Sequence, residues 1–405
     1  MESPGLSGGC EAGTGGRRRM NVLVVNWQDR ENPHAGGAEI HLFEIFGRLA
    51  AAGHRVRLVC GGWPGAAPRA LVDGIEVHRA GGRNTFALLG RGAVRRAIRA
   101  ERPDVLVEDV NKLPLFLAAG TDLPFCAIIP HLFGETAFEE APWPIAATVW
   151  LAERPLSLLY RRAAFHAISE STRDDLVARG VPADRVRVIH PGVDIERFTP
   201  DPEARRSPAP SFLYVGRLKR YKGIGLAIEA LALARRERPD LRLDIAGTGD
   251  HRAELERLAI ELGQEQAVTF HGFISEADKL SRLRGAWANL FPSPKEGWGI
   301  TVIEAAACAT PSLASDSPGL RDSVRHGHTG FLIPHGNIEA LAARMLELAA
   351  SPSLVSRLGA QARSFAEGLT WERTAAETER HLQDIIAGRS HYADDDHRPP
   401  LRDHR

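Results

Sequence analysis

From Met20 onward, short runs of β-branched residues alternate with stretches whose apolar positions recur every three or four residues. NVLVVN (21–26) comes first, followed over about 38–52 by a stretch in which Ile40, Phe43, Phe46 and Leu49 or Ala50 keep helical spacing. VRLVC (56–60), IEVHR (75–79), VLVE (105–108), FCAII (125–129), FHAI (165–168) and VRVIH (186–190) continue the series. Strands that alternate with helices build a parallel sheet, so the first domain is expected to span 20–198. TPDPEARRSPAPS (199–211) holds four prolines and no apolar period, which predicts an interdomain linker. The pattern then restarts with FLYVG (212–216), LRLDIA (241–246), VTFH (268–271), ANLFP (288–292) and PSLAS (311–315). Helical stretches near 223–237, 250–262, 276–286 and 300–308 separate these runs. The expected fold is α/β, with two Rossmann-like doubly wound parallel-sheet lobes, 20–198 and 212–370, facing each other across a cleft. Ligands bind at the carboxyl ends of such strands. A last helix over 371–388 is expected to pack back on the first lobe.

Composition narrows the function classes. The chain of 405 residues carries 51 basic and 51 acidic side chains, so no global field draws it to nucleic acid, and no nucleic-acid partner is expected. Cys10, Cys60, Cys126 and Cys308 are far apart and give no metal-ligand spacing, which points to a reducing compartment and no metal centre. Residues 1–19 are Gly-rich, lack the apolar core of a signal peptide, and are expected to be disordered, as is the polar tail 389–405. No apolar run reaches the ~20 residues of a membrane span. A cytoplasmic location follows from these expectations.

The densest chemistry lies in PSPKEGWGITVIEAAACATP (292–311), where Glu296 precedes a predicted helix and Glu304 falls inside it. A carboxylate accepts two hydroxyl hydrogen bonds at fixed spacing, which suits a vicinal diol. Gly297 and Gly299 let a ligand approach the backbone, and the amides that open the helix suit a diphosphate. Arg217 follows the strand FLYVG, and Lys222 lies in a Gly-bounded loop, so both cations are aimed at the crevice. Gly36 and Gly37 form a turn into the first helix, another set of amides that attracts an anion. His131 stands after FCAII and Pro130, where a strand ends.

Together with HPGVD (190–194), GRLKRYKG (216–223), GTGD (247–250), HGF (271–273) and SDSPGLRD (315–322), the segment 292–311 resembles the retaining nucleotide-sugar glycosyltransferases of the GT-B fold. More specifically it resembles glycosyltransferase family 4, whose signature is two glutamates separated by seven residues. The likeness runs from about Met20 to Gly388. It implies transfer of a hexose from a UDP- or GDP-linked donor to a hydroxyl acceptor with retention of configuration and without cofactor or metal. It further implies that Glu304 holds the ribose and Glu296 the donor sugar, and that Arg217 and Lys222 hold the diphosphate. Gly36, Gly37, Gly297, Trp298, Gly299, Ile300 and Thr301 are then donor contacts, and the backbone at Gly272 and Phe273 holds the base. His131 would stand beside the donor sugar as a catalytic residue, although Leu132 and Phe133 follow where many relatives have an acidic residue. Glu135 and Glu139 are candidates for orienting the acceptor.

Two other readings fit parts of this pattern: a sugar-nucleotide epimerase and a non-catalytic nucleotide-sugar-binding subunit. An NAD enzyme fits worse, because GTGDHR puts Arg252 where GxGxxG needs its third glycine. RGAVRRAIRAER (91–102) aligns Arg91, Arg95, Arg99 and Arg102 on one helical face, a strip able to meet anionic lipid. WPIAATVWLAERPLSLLY (143–160) offers Trp143, Trp150, Leu151, Leu158 and Tyr160 to the same surface. The resemblance implies a lipid-linked acceptor and peripheral membrane contact, since many family members dock their first lobe on a bilayer.

Overall fold

The computed structural model describes residues 19–389 except 84, 141 and 205, so the disorder expected of 1–18 and 390–405, and Cys10, lie outside the described residues. The first sheet contains β1 (Asn21–Val25), β2 (Arg55–Gly62), β3 (Arg69–Val72), β4 (Ile75–Gly82), β5 (Val105–Asp109), β6 (Phe125–Ile129), β7 (Ala164–Ala167) and β8 (Val186–Val188). Their order is β3-β4-β2-β1-β5-β6-β7-β8, parallel except for β3, which runs antiparallel to β4. The second sheet contains β9 (Ser211–Val215), β10 (Arg242–Ala246), β11 (Val268–Gly272), β12 (Ala288–Phe291), β13 (Ser312–Ser315) and β14 (Gly330–Ile333). It is parallel throughout, in the order β11-β10-β9-β12-β13-β14. Strands with helices on both faces bury both sides, which is why Val22–Val25 and Phe212–Val215 read as continuous apolar runs instead of alternating.

The helix Gly37–Ala51 buries Leu42, Phe43, Ile45, Phe46 and Leu49 on the first sheet. Ile40, expected on that face, is instead largely exposed at the cleft end of the helix. Among the described residues, 199–210 forms neither helix nor strand, and hydrogen bonds tie it to the second lobe. Arg206 donates to the carbonyls of Ala286 and Ala309, and Trp287 Nε1 donates to Ser207 O at 2.9 Å. The chain passes between lobes at 189–194 and returns at 368–371. These two crossings lie side by side: Val193 N donates to Leu369 O at 2.8 Å, and a Cβ on Gly192 would stand 2.3 Å from Trp371 N. Only glycine allows that approach.

The C-terminal helix Trp371–Ile386 packs on the helix Gly37–Ala51, so it belongs to the first lobe in space. Arg48 reaches Glu372 at 2.8 Å, Arg187 reaches Asp384 at 3.3 Å, and His54 Nε2 lies 3.3 Å from Glu379. Behind these polar contacts three buried imidazoles stack edge to face. His41 and His166 have centroids 5.7 Å apart, and His166 and His381 6.3 Å. Neither ring nitrogen of His41 has a hydrogen-bond partner among the described residues. Burial pushes His41 down to about 3 and His166 to about 4, and it pushes His381 well below the ordinary histidine range.

These groups are neutral in the fold, whereas in the unfolded chain they take up protons below their ordinary value near 6.5. Their contribution is therefore complete above pH 6.5 and falls as pH drops toward 4 and 3. Melting temperature is expected to decline steadily from pH 7 to pH 5, with each histidine costing about 2 kcal/mol at the lower end. His41→Leu, which removes a titrating ring without breaking a hydrogen bond, is expected to flatten that decline. An unchanged slope in calorimetry of the variant would refute this assignment.

Candidate functional site

The cleft face of the second lobe is built from three loops that leave the carboxyl ends of β9, β12 and β13. The first carries Arg217 and Lys222, the second carries Glu296, and the third, at Pro318 and Gly319, accepts the backbone N–H of Glu296 at 3.1 Å through Pro318 O. Lys222 Nζ meets Glu296 Oε1 at 2.5 Å, and both side chains are nearly buried. Burial disfavours the Lys222 charge, but the Glu296 carboxylate outweighs it and holds the ammonium above its ordinary pKa. The two groups that the resemblance assigns to different parts of a donor thus form one unit. Arg217 is exposed beside them and touches Tyr221 Oη at 3.4 Å, which leaves its charge available to an anion.

Glu304 sits in the helix Ile300–Ala307, within its second turn, and its partner comes from a different helix. Lys279, from the helix Glu276–Gly285, reaches Glu304 Oε1 at 2.9 Å and Glu276 at 3.0 Å. Burial raises the Glu304 pKa above the usual carboxylate value, and Lys279 partly offsets this. The available signal was lysine scarcity: the chain has five lysines, and besides these two they are Lys112, Lys219 and Lys295. Lys219 pairs with Asp250 at 2.7 Å, and Lys295 reaches across to Asp175 of the first lobe at 3.4 Å.

The lobes meet closely around the loop between the glutamates. A Cβ on Gly297 would lie 2.5 Å from Pro130 O, so glycine lets this loop press against the residue before His131. On the other side a Cβ on Gly37 would lie 3.4 Å from Ile300 Cδ1, which sets the glycine turn of Gly36 and Gly37 opposite the donor-loop helix. Glu39 fixes that turn by accepting from Gly36 N at 2.7 Å. His131 packs edge-on against Phe133 with centroids 4.7 Å apart. Burial lowers its pKa to about 4; Glu296 opposes this, while Lys295, Lys222 and Arg217 reinforce it. The imidazole is therefore neutral at pH 7 and close to the charged cluster.

Trp298 and Gly299 are buried, Thr301 is half-buried at the first turn of the helix, and Gly272 ends β11 with φ of 69°. Phe273, the residue after the edge strand β11, is 86% exposed. The side chains of Glu135 and Glu139 lie outside the described residues. Tyr160, expected on the surface, is fully buried: its hydroxyl donates to Glu108 Oε1 at 2.8 Å. Glu108 also accepts from Leu115 N at 2.6 Å and so anchors the loop after β5 that presents Lys112.

Lys112 lines a cavity of about 580 Å³ in the first lobe at the ends of β1, β2 and β4. Trp27 and Trp63 form part of its wall, and His34 and Arg83 join Lys112 in it, with no carboxylate among the lining residues. Burial lowers the Lys112 pKa; Glu39 opposes this and Arg83 and Arg217 reinforce it.

Residues 196–365 match the family described as glycosyl transferases group 1, and residues 35–197 match glycosyltransferase family 4. The D-inositol 3-phosphate glycosyltransferase of Pseudarthrobacter chlorophenolicus is 32% identical over 403 residues, covering 89% of this chain and 94% of that protein. The chain spans about half the length of other curated relatives of this description, from Streptomyces, at 34–36% identity. Among solved structures, sucrose-phosphate synthase from Thermosynechococcus elongatus superposes with a TM-score of 0.77 at 22% identity, over 91% of this chain and 100% of the other. Anabaena HepE in complex with UDP-glucose superposes with a TM-score of 0.72 at 18% identity, over 91% of this chain and 100% of the other.

Breaking one partner of a buried ion pair strands the other charge. Lys279→Met is expected to destabilise the protein by about 3 kcal/mol, and Lys279→Met with Glu304→Gln by clearly less. Urea unfolding of the single and double variants checks this, and strictly additive losses would show that the contact carries no coupling.

Proposed function

The chain belongs to glycosyltransferase family 4, and from its paired cleft residues we propose that it moves a hexose from a nucleoside diphosphate sugar, UDP- or GDP-linked, to a hydroxyl acceptor with retention of configuration. The observation that carries this reading is the Lys222–Glu296 unit beside the exposed cation of Arg217, with the Lys279–Glu304 pair on the adjoining helices. A diphosphate leaving group gains negative charge as the anomeric C–O bond breaks. Arg217 and Lys222 supply the compensating charge at fixed positions, which makes a divalent ion unnecessary. Glu304 accepts the ribose hydroxyls, and Glu296, oriented by Lys222, accepts sugar hydroxyls. The acceptor oxygen then bonds to the anomeric carbon on the face that the phosphate leaves, and its proton passes to the departing phosphate. The neutral ring of His131 faces this region without adding charge repulsion.

The cavity of about 580 Å³ suits the acceptor. Its aromatic walls fit a sugar or polyol ring, and Lys112, Arg83 and His34 with no lining carboxylate fit an acceptor that bears a phosphate. A lipid-linked acceptor is compatible with the outer surface of the same lobe. The exposed cations Arg95, Arg99 and Arg102 lie on or at the end of the helix Phe86–Glu101, and Leu88 and Leu89 are exposed near its start. Trp143, Ile145, Leu151 and Leu158 are exposed on the helices Trp143–Glu153 and Leu156–Leu159. No helix of the described residues is long and apolar enough to cross a membrane, so the contact in this proposal is peripheral.

Thermal-shift screening against UDP, GDP and their hexose conjugates identifies the donor, and UDP-glucose is the first to test. Activity with that donor is expected to survive EDTA, while Arg217→Ala and Lys222→Ala each lower turnover by about tenfold or more. Glu304→Ala is expected chiefly to weaken nucleotide binding, and Glu296→Gln to lower turnover. An absolute metal requirement, or wild-type kinetics in these variants, would remove the basis of the reading. Flotation with anionic and neutral vesicles checks the membrane contact. Salt-sensitive binding to the anionic vesicles, lost in Arg95→Glu with Arg99→Glu, is the expected outcome.

A further inference from the structure

A second cavity, of about 310 Å³, opens where the two interlobe crossings run side by side. His190 from the outgoing crossing and Gly368–Thr374 around the return line it, and the helix Pro352–Glu367 closes it with Gln361, Ser364 and Phe365 on one face. Its remaining wall includes Trp298 of the donor loop, whose indole stacks on His190 with centroids 4.6 Å apart and planes 18° apart. We propose that this hinge cavity binds a small phosphorylated metabolite, that Arg325 holds the phosphate, and that occupancy acts on the donor site through Trp298.

Charge selects the ligand. Arg325 is half-buried in the wall with its guanidinium 4.5 Å over the Phe365 ring. Among the described residues it forms no ion pair with a carboxylate, and its buried Nε has no hydrogen-bond partner. Glu377 is the carboxylate in the lining, and Arg373 already engages it at 3.0 Å. A partly desolvated guanidinium without a counter-charge favours an anion, and its planar fork matches phosphate. Size selects too: about 310 Å³ is at the small end of ligand pockets, room for one phosphorylated sugar ring but not for a whole nucleotide sugar. The aromatic faces of Phe365 and Trp298 and the polar ends of Gln361 and Ser364 suit such a ring.

Position selects the consequence. Trp298 lies two residues from Glu296 and next to Gly299, which opens the donor-loop helix, and it lines the hinge cavity. A ligand clamped between both crossings and Trp298 prefers one arrangement of lobes and loop. By linkage it then alters nucleotide affinity, and nucleotide alters its own affinity, by the same factor.

Calorimetric titration of the full chain with inorganic phosphate, glucose 6-phosphate and fructose 6-phosphate, with and without saturating UDP, tests the proposal. At least one sugar phosphate is expected to bind while UDP is bound, with an affinity that UDP changes. Arg325→Ala is expected to weaken that binding by about tenfold or more, in line with a lost charge-assisted contact. Ser364→Trp, which fills the cavity from an exposed helix position, is expected to abolish it while UDP still binds. No binding by any of the three probes, competition of the probe with UDP, or binding indifferent to both variants overturns the site. Equal affinity with and without UDP overturns the coupling. The coupling is read with whichever nucleoside diphosphate the thermal-shift screen shows to bind, so a failure of UDP to bind counts against the proposed donor and not against this site.

Discussion

The cleft depends on charge buried against charge. Lys222 and Glu296 come from loops that are 74 residues apart in sequence, and each would be strongly disfavoured in its nearly buried position without the other. Satisfying both fixes the end of the β9 loop against the end of the β12 loop. Lys279 and Glu304 repeat the device one helix away, where it ties the helix Glu276–Gly285 to the helix Ile300–Ala307. Such pairs add little net stability compared with apolar packing, but they allow few alternative arrangements. Oriented carboxylates and ammonium groups are what recognition of hydroxyls and phosphate needs.

The first lobe meets that surface through close backbone approach more than through many contacts. Gly297 stands against Pro130 and Gly37 against Ile300, two close approaches between the lobes. Polar links accompany them: Ser171 N donates to Asp322 at 3.0 Å, and Lys295 reaches Asp175. The C-terminal helix, carried back beside the outgoing crossing, locks onto the first lobe through ion pairs over a stack of neutral histidines. The hinge is therefore two adjacent strands of chain with few degrees of freedom. Trp298, stacked on His190 of the outgoing crossing, lies two residues from Glu296.

Much of this was readable from the chain. Apolar runs with helical stretches between them determined two parallel-sheet lobes, because a strand buried on both faces has to be apolar along its length. Glycine spacing and the two glutamates of 292–311 located the donor loop, since those residue types serve the same backbone and hydroxyl chemistry in any surroundings. The linear pattern missed β3 and β14, and length is not the reason, since β7, β12 and β13 are equally short and were read; 199–210 reads as an interdomain linker because its anchoring partners, Ala286 and Ala309, are far away in sequence.

Tertiary structure alone decided the partners. Nothing local in GRLKRYKG states that Lys222 will face Glu296, or that Lys279 will leave an otherwise ordinary helix face to neutralise Glu304. Tyr160 shows the same limit: it sat in an apolar stretch that looked superficial, yet burial of its ring and the demand of Glu108 for a donor drew it inside. The sequence determines which groups can carry charge, turn tightly or pack in a core, because those are properties of single residues and their near neighbours. Which charge compensates which, and which cavity stays open between them, depends on distances across the fold, and desolvation makes those distances matter only after the chain has closed on itself.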